Sequence, residues 1–354
     1  MRRIEIDLVA IKHNYLKIKK KLSGKEVMVV VKANAYGHGM HEVSKALEDI
    51  GVDALATADL DEAIELRAAG IKSRLICWLV LPTDDFKLAK ELDIEIGVAN
   101  HDVLSAVDND QKIHLIVDTG LGREGFVKAD WESAFEAAAD KSVVGIFTHL
   151  SNTSLSDDLK QRNKFDEAIA LAKSKQISGF QTHISASAAA LAHEDFDYDM
   201  ARVGLLVYGH NPFEDKELTS VSLIPAMRAV AKSAGFKRVQ AGQGVSYGYR
   251  YIAERATNLV LVPFGYAEGM PRISEGAEVQ ILGRRYPVVG RIAMDQFVVE
   301  VGDDQIPIGT DVVIFGDPAK GEPNVDDLAH SAKTINYEII TRIGGRADRV
   351  FLDK

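Results

Sequence analysis

One lysine of the chain directly follows a run of apolar residues. Lys32 comes after Val27–Val31, whose letters VMVVV are typical of a buried strand. Because burial disfavours the charged form of an amine, we expect the pKa of Lys32 to be lowered. A neutral amine at a strand end is what Schiff-base chemistry with a carbonyl compound requires. The alternative is a lysine whose stem packs on apolar surface while its ammonium group reaches water.

The segment after Lys32 reads ANAYGHG, a run of small and turn-forming residues. Its glycines allow the backbone to approach a ligand closely, and Tyr36 is placed to reach a phosphate group. His38 and His41 have a spacing weakly typical of metal ligands, but the nearby sequence offers no third ligand. Packed or solvated histidines are the simpler interpretation, so we expect no metal site.

The N-terminal part of the chain alternates short apolar runs with amphipathic segments, one of which begins at Asp59 like a capping box. Continuous apolar strands between helices indicate a parallel sheet covered on both faces, and eight of them indicate a (β/α)8 barrel. The predicted strands are Val27–Val31, Asp53–Thr57, Leu75–Val80, Ile94–Val98, Ile113–Asp118, Val143–Thr148, Phe180–His183 and Val203–Val207.

The pattern changes near Ala226, where short strand-like runs are separated by Gly and Pro. This pattern favours a mostly antiparallel β domain. We expect the barrel to span residues 8–227 and the β domain residues 228–354, with residues 1–7 pairing with the β domain. The strands predicted here are Ala229–Ser233, Asn258–Pro263, Glu278–Leu282, Tyr286–Ile292, Phe297–Val301 and Asp311–Phe315, with one helix over Val325–Ser331.

Composition excludes several classes of function. With 42 Lys+Arg against 52 Asp+Glu, the net charge of −10 disfavours non-specific binding to nucleic acid or to anionic membranes. The single cysteine, Cys77, lies in an apolar run and is expected to be a buried hydrophobic residue. Charged residues interrupt the N-terminus, and no apolar run approaches the roughly 20 residues of a membrane span. We therefore expect a cytoplasmic protein.

Polar residues cluster at the predicted ends of the barrel strands, where barrel enzymes have their active sites. Contact with solvent explains any one of them. A lysine, two histidines and an arginine at one barrel mouth nevertheless favour a binding or catalytic site. These residues are Lys32, Thr57, Asn100, Asp118, Thr148, His149, His183 and Arg202.

The segment VVVKANAYGHG resembles the cofactor-lysine motif of alanine racemases, which are barrel enzymes that use pyridoxal 5′-phosphate (PLP). The resemblance implies racemisation of L- and D-alanine, which supplies D-alanine for peptidoglycan synthesis. Further similar motifs follow in the family's order over nearly the whole chain. They are VDTGLGREGF (117–126), FTHLS (147–151), ARVGLLVYG (201–209), GVSYG (244–248), PFGYAEGMPR (263–272), GRIAMDQF (290–297) and TINYE (334–338).

The resemblance also implies roles for individual residues. Lys32 would hold the cofactor and act as one acid/base group, and Tyr266 would be the second. The family supplies this tyrosine from the partner subunit, which implies a homodimer with shared active sites. Arg123 and the backbone of Met294 would bind the substrate carboxylate. The residues implied to bind the cofactor are Lys32, Tyr36, His149, Ser187, Arg202, Gly204, Leu205 and Tyr337.

Arg202 has the most informative implied position, beside the pyridine nitrogen of the cofactor. A cation there disfavours protonation of the nitrogen, which weakens the ring as an electron sink and suppresses transamination. His149 would link Arg202 to the catalytic tyrosine. Asp295 would orient the Met294 loop, and Arg291 would line the substrate entrance.

The chain departs from the family pattern at three positions. Many relatives have a modified lysine that binds the arginine matching Arg123, but Ile116 occupies that position here. Another group, such as a bound chloride, would then have to orient Arg123. Ala186 replaces an asparagine of the His-x-x-Asn-Ser pattern, and Glu268 replaces a common aspartate.

Three other functions remain open at this point. A broad-specificity amino-acid racemase would use the same scaffold, with entrance and pocket residues deciding the substrate. A non-catalytic PLP-binding protein is disfavoured, since such relatives consist of the barrel alone. A decarboxylase relative would need a cysteine in the second domain, whereas the chain's only cysteine is Cys77.

Overall fold

A closed barrel of eight parallel strands follows an N-terminal strand, β1, and a first helix, Leu8–Lys21. The computed structural model describes residues 1–193, 196–213, 218, 220–274 and 276–353. Strand β1 spans Arg2–Asp7. The barrel strands are β2 (Glu26–Val30), β3 (Ala54–Thr57), β4 (Leu75–Cys77), β5 (Ile94–Val98), β6 (Ile113–Ile116), β7 (Val143–Phe147), β8 (Gln181–His183) and β9 (Met200–Val203). The predicted (β/α)8 barrel is confirmed.

Helices connect successive barrel strands and cover the outside of the barrel. Side-chain caps begin several of them: Asp59 accepts a hydrogen bond from the Glu62 amide, and Ser154 accepts one from the Asp157 amide. None of the helices in the described part of the chain combines the length and the apolar character that a membrane crossing requires. The connecting helices are Met40–Glu48, Leu60–Ala68, Phe86–Glu91, His101–Ala106, Trp131–Ala138, Leu155–Ser174 and Ser187–Ala192.

Two local predictions in the barrel are wrong. The last barrel strand is Met200–Val203 and not Val203–Val207, because the apolar run after Gly204 forms buried turns instead of pairing with a strand. The Asp59 cap forms, but the Glu62 carboxylate does not complete a capping box. It accepts hydrogen bonds from the amides of Ala33 and Ala58, so it ties two strand ends together.

The described residues of the C-terminal part form ten strands and two α-helices. The strands are β10 (Met227–Lys232), β11 (Gly235–Val239), β12 (Gly244–Val245), β13 (Tyr251–Ile252), β14 (Thr257–Val262), β15 (Glu278–Ile281), β16 (Arg284–Val289), β17 (Phe297–Gly302), β18 (Asp311–Phe315) and β19 (Asp348–Leu352), and the helices are Val325–Ala332 and Asn336–Arg342. Eight of these strands and β1 form a mostly antiparallel sheet in the order β11-β14-β17-β16-β15-β18-β10-β1-β19. The predicted antiparallel β domain is confirmed. The sequence did not predict β11, β12, β13, β19 or the second helix.

Strand β1 connects the two ends of the chain. It pairs antiparallel with β10, where Ile4 lies opposite Ala229 and Ile6 opposite Met227, and it pairs parallel with β19. Ile4 and Ile6 are fully buried. The chain therefore starts inside the C-terminal sheet before it enters the barrel. The division into domains at residues 227 and 228 stays a prediction.

The Ile6→Ala substitution should lower the free energy of unfolding by about 2–5 kcal/mol, because it leaves a cavity in the sheet at β1. The matched control is Val350→Ala on the neighbouring strand β19, where the side chain is 39% exposed. That change should cost less than about 1 kcal/mol. Denaturant unfolding of both variants measures the difference, and equal costs would contradict a central structural role for β1.

Candidate active site

A cavity of about 550 Å³ opens at the carboxyl ends of the barrel strands. Its wall comes from the loops after β2, β6, β7, β8 and β9 and from the C-terminal helix Asn336–Arg342. Most of the residues predicted to form a site meet here. Those residues are Lys32, Tyr36, Arg123, His149, Ser187, Arg202, Gly204 and Tyr337.

The backbone after Lys32 turns with the left-handed twist that L-residues avoid. The four residues from Ala33 to Tyr36 have φ values of 53, 55, 54 and 52°. This conformation costs roughly 1–2 kcal/mol per residue outside glycine. The surrounding contacts must therefore impose it, and strain of this kind is concentrated at functional sites.

Hydrogen bonds on both sides hold this left-handed turn. The Ala33 amide donates to the Glu62 carboxylate at 2.6 Å, and the Ala35 amide donates to the Val31 carbonyl at 2.7 Å. The Asn34 side chain accepts from the Met40 amide at 2.8 Å. The turn fixes the backbone between Lys32 and Tyr36. The side chains of both residues line the cavity.

Burial lowers the pKa of Lys32, as the sequence predicted, and the positive charge of Arg123 lowers it further. The negative charges of Glu124 and Glu62 oppose this shift. A larger fraction of the Lys32 amine is therefore neutral at a given pH than for an ordinary lysine.

Tyr36, Gly204 and Ser187 form a small cradle on one wall of the cavity. The Ser187 hydroxyl accepts a hydrogen bond from the Gly204 amide at 3.1 Å. A Cβ atom on Gly204 would lie 2.5 Å from the Tyr36 hydroxyl, so only glycine fits there. Hydroxyl and amide groups around such a space are the usual ligands of a phosphate group. Tyr337 lies beside the cradle, with its ring centroid 6.0 Å from that of Tyr36.

Arg202 is a buried cation on the cavity floor. Its guanidinium donates to the carbonyl oxygens of Thr148 at 2.8 Å and His183 at 3.1 Å, and it contacts the Nδ1 atom of His149 at 3.2 Å. The guanidinium carbon also lies 4.9 Å from the centre of the Phe147 ring. Burial lowers the pKa of Arg202 to about 10, so it stays charged at neutral pH.

A chain of hydrogen bonds, here named the barrel relay, runs from Arg202 through the barrel interior to Arg74. Because arginine can only donate, the Nδ1 atom of His183 accepts from Arg202 at 3.0 Å. His183 then carries its proton on Nε2 and donates to Nδ1 of His114, 3.0 Å away. By the same argument His114 donates to Glu95 at 2.7 Å, and Glu95 also accepts from Arg74.

The pKa shifts agree with this proton arrangement. Burial lowers the pKa of His114 and His183, and the Arg202 charge lowers that of His183 further, which keeps both rings neutral. Burial acts to raise the pKa of Glu95, but hydrogen bonds from His114 and Arg74 hold it at about 2. The barrel relay thus joins a cation at the cavity to a carboxylate at the opposite end of the barrel.

Arg123 has a partner that the sequence did not suggest. Ile116 is buried and offers no polar group, and the Arg123 guanidinium instead donates to the neighbouring Glu124 carboxylate at 2.7 Å. Both side chains line the cavity. A carboxylate of the chain itself therefore contacts Arg123, where the sequence suggested a bound anion such as chloride.

Other predicted residues lie outside this cavity. Tyr266 is 41% exposed and Met294 is 54% exposed. Tyr266 faces a second concavity, which shares Glu338 with the first. Arg291 lines a third cavity, and Leu205 is fully buried beneath the cradle. Within one chain the structure does not bring Lys32 and Tyr266 into the same cavity.

The sequence prediction missed Glu95, His114 and Glu62. A signal was present for two of them, because Glu95 and His114 interrupt apolar barrel strands whose neighbours are buried. A charged or polar residue inside such a strand needs a buried partner. The sequence does not reveal the partner, since it depends on how β5, β6 and β8 lie around the barrel.

Sequence profiles of two family domains cover most of the chain. The profile described as alanine racemase, N-terminal domain, matches residues 6–212, and that of the alanine racemase C-terminal domain matches residues 226–351. The chain belongs to the alanine racemase family. It is accordingly an isomerase that interconverts the enantiomers of alanine.

Individual alanine racemases resemble the chain over its full length. The alanine racemase of Thermobifida fusca is 40% identical over 98% of this chain and 96% of its own length. The crystal structure of alanine racemase from D-cycloserine-producing Streptomyces lavendulae has a TM-score of 0.95 at 38% identity, covering 100% of this chain and 97% of that one.

A more distant alanine racemase, that of Bacillus anthracis with bound L-Ala-P, is also similar. It has a TM-score of 0.90 at 32% identity and covers 99% of this chain and 94% of that one. The barrel and the C-terminal sheet therefore share one arrangement across these alanine racemases.

Lys32 should react with a small acylating reagent at lower pH than other lysines in protein prepared without cofactor. Because its pKa is lowered, Lys32 is in the neutral, nucleophilic form at a lower pH than an ordinary lysine. Lys45 is the comparison, because hydrogen bonds to Asp49 and Glu48 raise its pKa. Mass spectrometry after short pulses across a pH series gives both profiles. If Lys32 becomes reactive only at the same pH as Lys45 or at a higher pH, the lowered pKa of Lys32 is contradicted.

Proposed function

We propose that this alanine racemase uses PLP and a two-base mechanism, and that it supplies D-alanine for peptidoglycan synthesis. The proposal depends most on one observation: a partly buried amine with a lowered pKa, Lys32, shares a cavity with a buried cation, Arg202. An amine of this kind suits covalent attachment of an aldehyde. The fixed cation suits control of an electron-poor ring.

The cavity residues fit the proposed cofactor. The cradle of Tyr36, Ser187 and Gly204 has no room for a side chain at Gly204, which leaves the backbone accessible, and it presents hydroxyl groups for a phosphate. Lys32 would bind the aldehyde, and Arg202 would lie beside the ring nitrogen. Bound there, PLP would supply an electron-withdrawing ring that acidifies the α-proton of an attached amino acid.

Arg202 would direct the chemistry towards proton exchange. Its charge is already held by carbonyl oxygens and by two imidazole nitrogens, so it has no need of a further acceptor. A fixed positive charge disfavours a proton on a neighbouring nitrogen. Arg202 would thereby favour return of a proton to the α-carbon over side reactions.

Two acid/base groups would exchange the α-proton on opposite faces of the substrate. One group, the Lys32 Nζ or the Tyr266 Oη, would take the proton from the α-carbon, while the other would return its own proton to the opposite face. Each turnover leaves the two groups with their protonation states exchanged. Arg123, held by Glu124, would bind the substrate carboxylate together with the Met294 amide of the partner.

A homodimer would complete each site. Tyr266 and Met294 are largely exposed and lie outside the cavity that holds Lys32. A second copy would place the partner subunit's Tyr266 at the cavity mouth. Two-fold symmetry would then produce two equivalent shared sites.

Mixing two inactive variants tests this arrangement. Lys32→Ala and Tyr266→Phe homodimers should each lose racemase activity by roughly 10²–10⁴-fold, because each lacks one acid/base group. When the two are unfolded and refolded together, random pairing should restore about a quarter of wild-type activity, since half of the dimers gain one intact site. Racemisation from both enantiomers is the measurement.

The control for this mixing is each variant refolded with itself, which should stay inactive. Lys32→Ala should also lose the visible absorption of bound PLP, while Tyr266→Phe should keep it. No recovery after mixing would mean that both groups come from one chain. Normal turnover by Tyr266→Phe would remove Tyr266 from the mechanism.

The Gly204→Ala substitution should weaken PLP binding by about tenfold or more, because the new Cβ would lie 2.5 Å from the Tyr36 hydroxyl in the proposed phosphate cradle. Tyr36→Phe in the same chain removes that hydroxyl but leaves the ring carbon Cζ 2.8 Å from the new Cβ, so the double variant should recover little affinity. Titrating PLP into cofactor-free protein measures the affinity of the single and double variants. Unchanged affinity in the single variant would place the phosphate elsewhere.

A further inference from the structure

A fully buried carboxylate lies two residues after Tyr266. Tyr266–Glu268 is a single 3-10 turn, and the Glu268 side chain is 0% exposed. One carboxylate oxygen accepts from the Gly265 amide at 2.8 Å, and the other accepts from the Nε atom of Arg346 at 2.6 Å. Arg2, on strand β1, lies 3.6 Å from the same oxygen as Arg346.

The same group of contacts holds the loop that contains Met294. Arg346 donates from Nη2 to Asp295 at 2.7 Å. The amides of Tyr266 and Ala267 donate to the carbonyl oxygens of Ala293 and Met294, at 3.1 and 2.9 Å. The turn with Tyr266 and the loop with Met294 therefore form one unit, here named the Glu268 clamp.

The space around the Glu268 clamp is closely packed. A Cβ on Gly265 would lie 2.2 Å from the Met294 carbonyl oxygen, and a Cβ on Gly345 would lie 2.1 Å from the Ala267 carbonyl oxygen. The backbone at Gly265 thus approaches that of Met294, and the backbone at Gly345 approaches that of Ala267, as closely as glycine permits. Movement of the Glu268 carboxylate would have to move Tyr266 and Met294 together.

We propose that Glu268 is a positioning residue that sets where the Tyr266 hydroxyl lies relative to the Met294 amide, through Gly265 on one side and Arg346–Asp295 on the other. The inference rests on the proposed function, in which these two groups serve the partner's cavity. A proton-transferring hydroxyl and a carboxylate anchor must keep a fixed separation, because both contact one small substrate.

The Glu268→Gln variant tests the proposal, because no orientation of an amide can satisfy the clamp. Both Glu268 oxygens accept from N–H donors, so the amide nitrogen must face either the Gly265 amide or Arg346. We expect kcat to fall by about 10- to 100-fold through displacement of the acid/base group. The PLP absorption should not change, since the cofactor cradle belongs to the barrel.

Deuterium at the α-carbon separates positioning from general damage. Displacing only one of two bases should raise the primary isotope effect for the enantiomer whose proton that base takes, and not for the other. Partial unfolding would lower the amount of active enzyme and leave both isotope effects as in the wild type. That second outcome, with reduced activity, would overturn the proposal, as would wild-type kcat in Glu268→Gln.

Two further variants keep the experiment decisive if Glu268→Gln does not fold. Arg346→Gln cuts the link to Asp295 at a side chain that is 50% exposed, and it should raise the same single isotope effect. Glu278→Gln makes the same chemical change at an exposed position of the C-terminal sheet, and it should behave as the wild type. If Tyr266→Phe racemises normally, the proposed function fails independently of the clamp.

Discussion

The buried charge of Arg202 is the constraint on which the cavity depends. Placing a guanidinium in a protein interior costs several kcal/mol unless its donors are satisfied. Here the acceptors are carbonyl oxygens after β7 and β8 and imidazole nitrogens of His149 and His183. These acceptors fix the cation in place and leave both imidazoles neutral. The cavity floor is therefore positively charged at neutral pH.

The barrel relay shows why the barrel interior is polar at this position. Apolar side chains would fill the space at lower electrostatic cost, but they would leave His183 without an acceptor for its Nε2 proton. The Nδ1 atom of His114 accepts this hydrogen bond from His183, so His114 carries its own proton on Nε2 and needs an acceptor there. Glu95 is that acceptor, and Arg74 neutralises the charge of Glu95. Gly145 leaves room for the His114 ring, since a Cβ there would lie 1.9 Å from its Nδ1. The need to satisfy the Arg202 cation on β9 thus determines residues on or next to five other strands, β4 to β8.

The sequence predicted what depends on local pattern and missed what depends on neighbours around the barrel. Lys32 was recognisable because a long apolar strand precedes it, and most barrel strands were found for the same reason. The last strand was misplaced because Leu205–Val207 is as apolar as a strand, yet it is buried in turns. Glu95 was missed as a partner, since its contacts with His114 and Arg74 join different strands and are not encoded in spacing. Glu124 was missed although it follows Arg123 directly, because adjacency in the chain does not show which way two side chains point. The left-handed turn at Ala33 was equally invisible, because alanine and tyrosine rarely adopt this conformation and four such residues in succession are unusual.

The proposed site would combine two rigid units that achieve rigidity by different means. Lys32 precedes a strained left-handed turn, which Glu62 and Asn34 hold against its intrinsic preference. Tyr266 begins a turn that encloses a buried carboxylate within a closely packed backbone. In the proposed mechanism neither unit could adjust to the other, because each is fixed within its own part of the fold. The separation of the two acid/base groups would then be set by how the subunits pack, so the dimer interface would become part of the catalytic geometry.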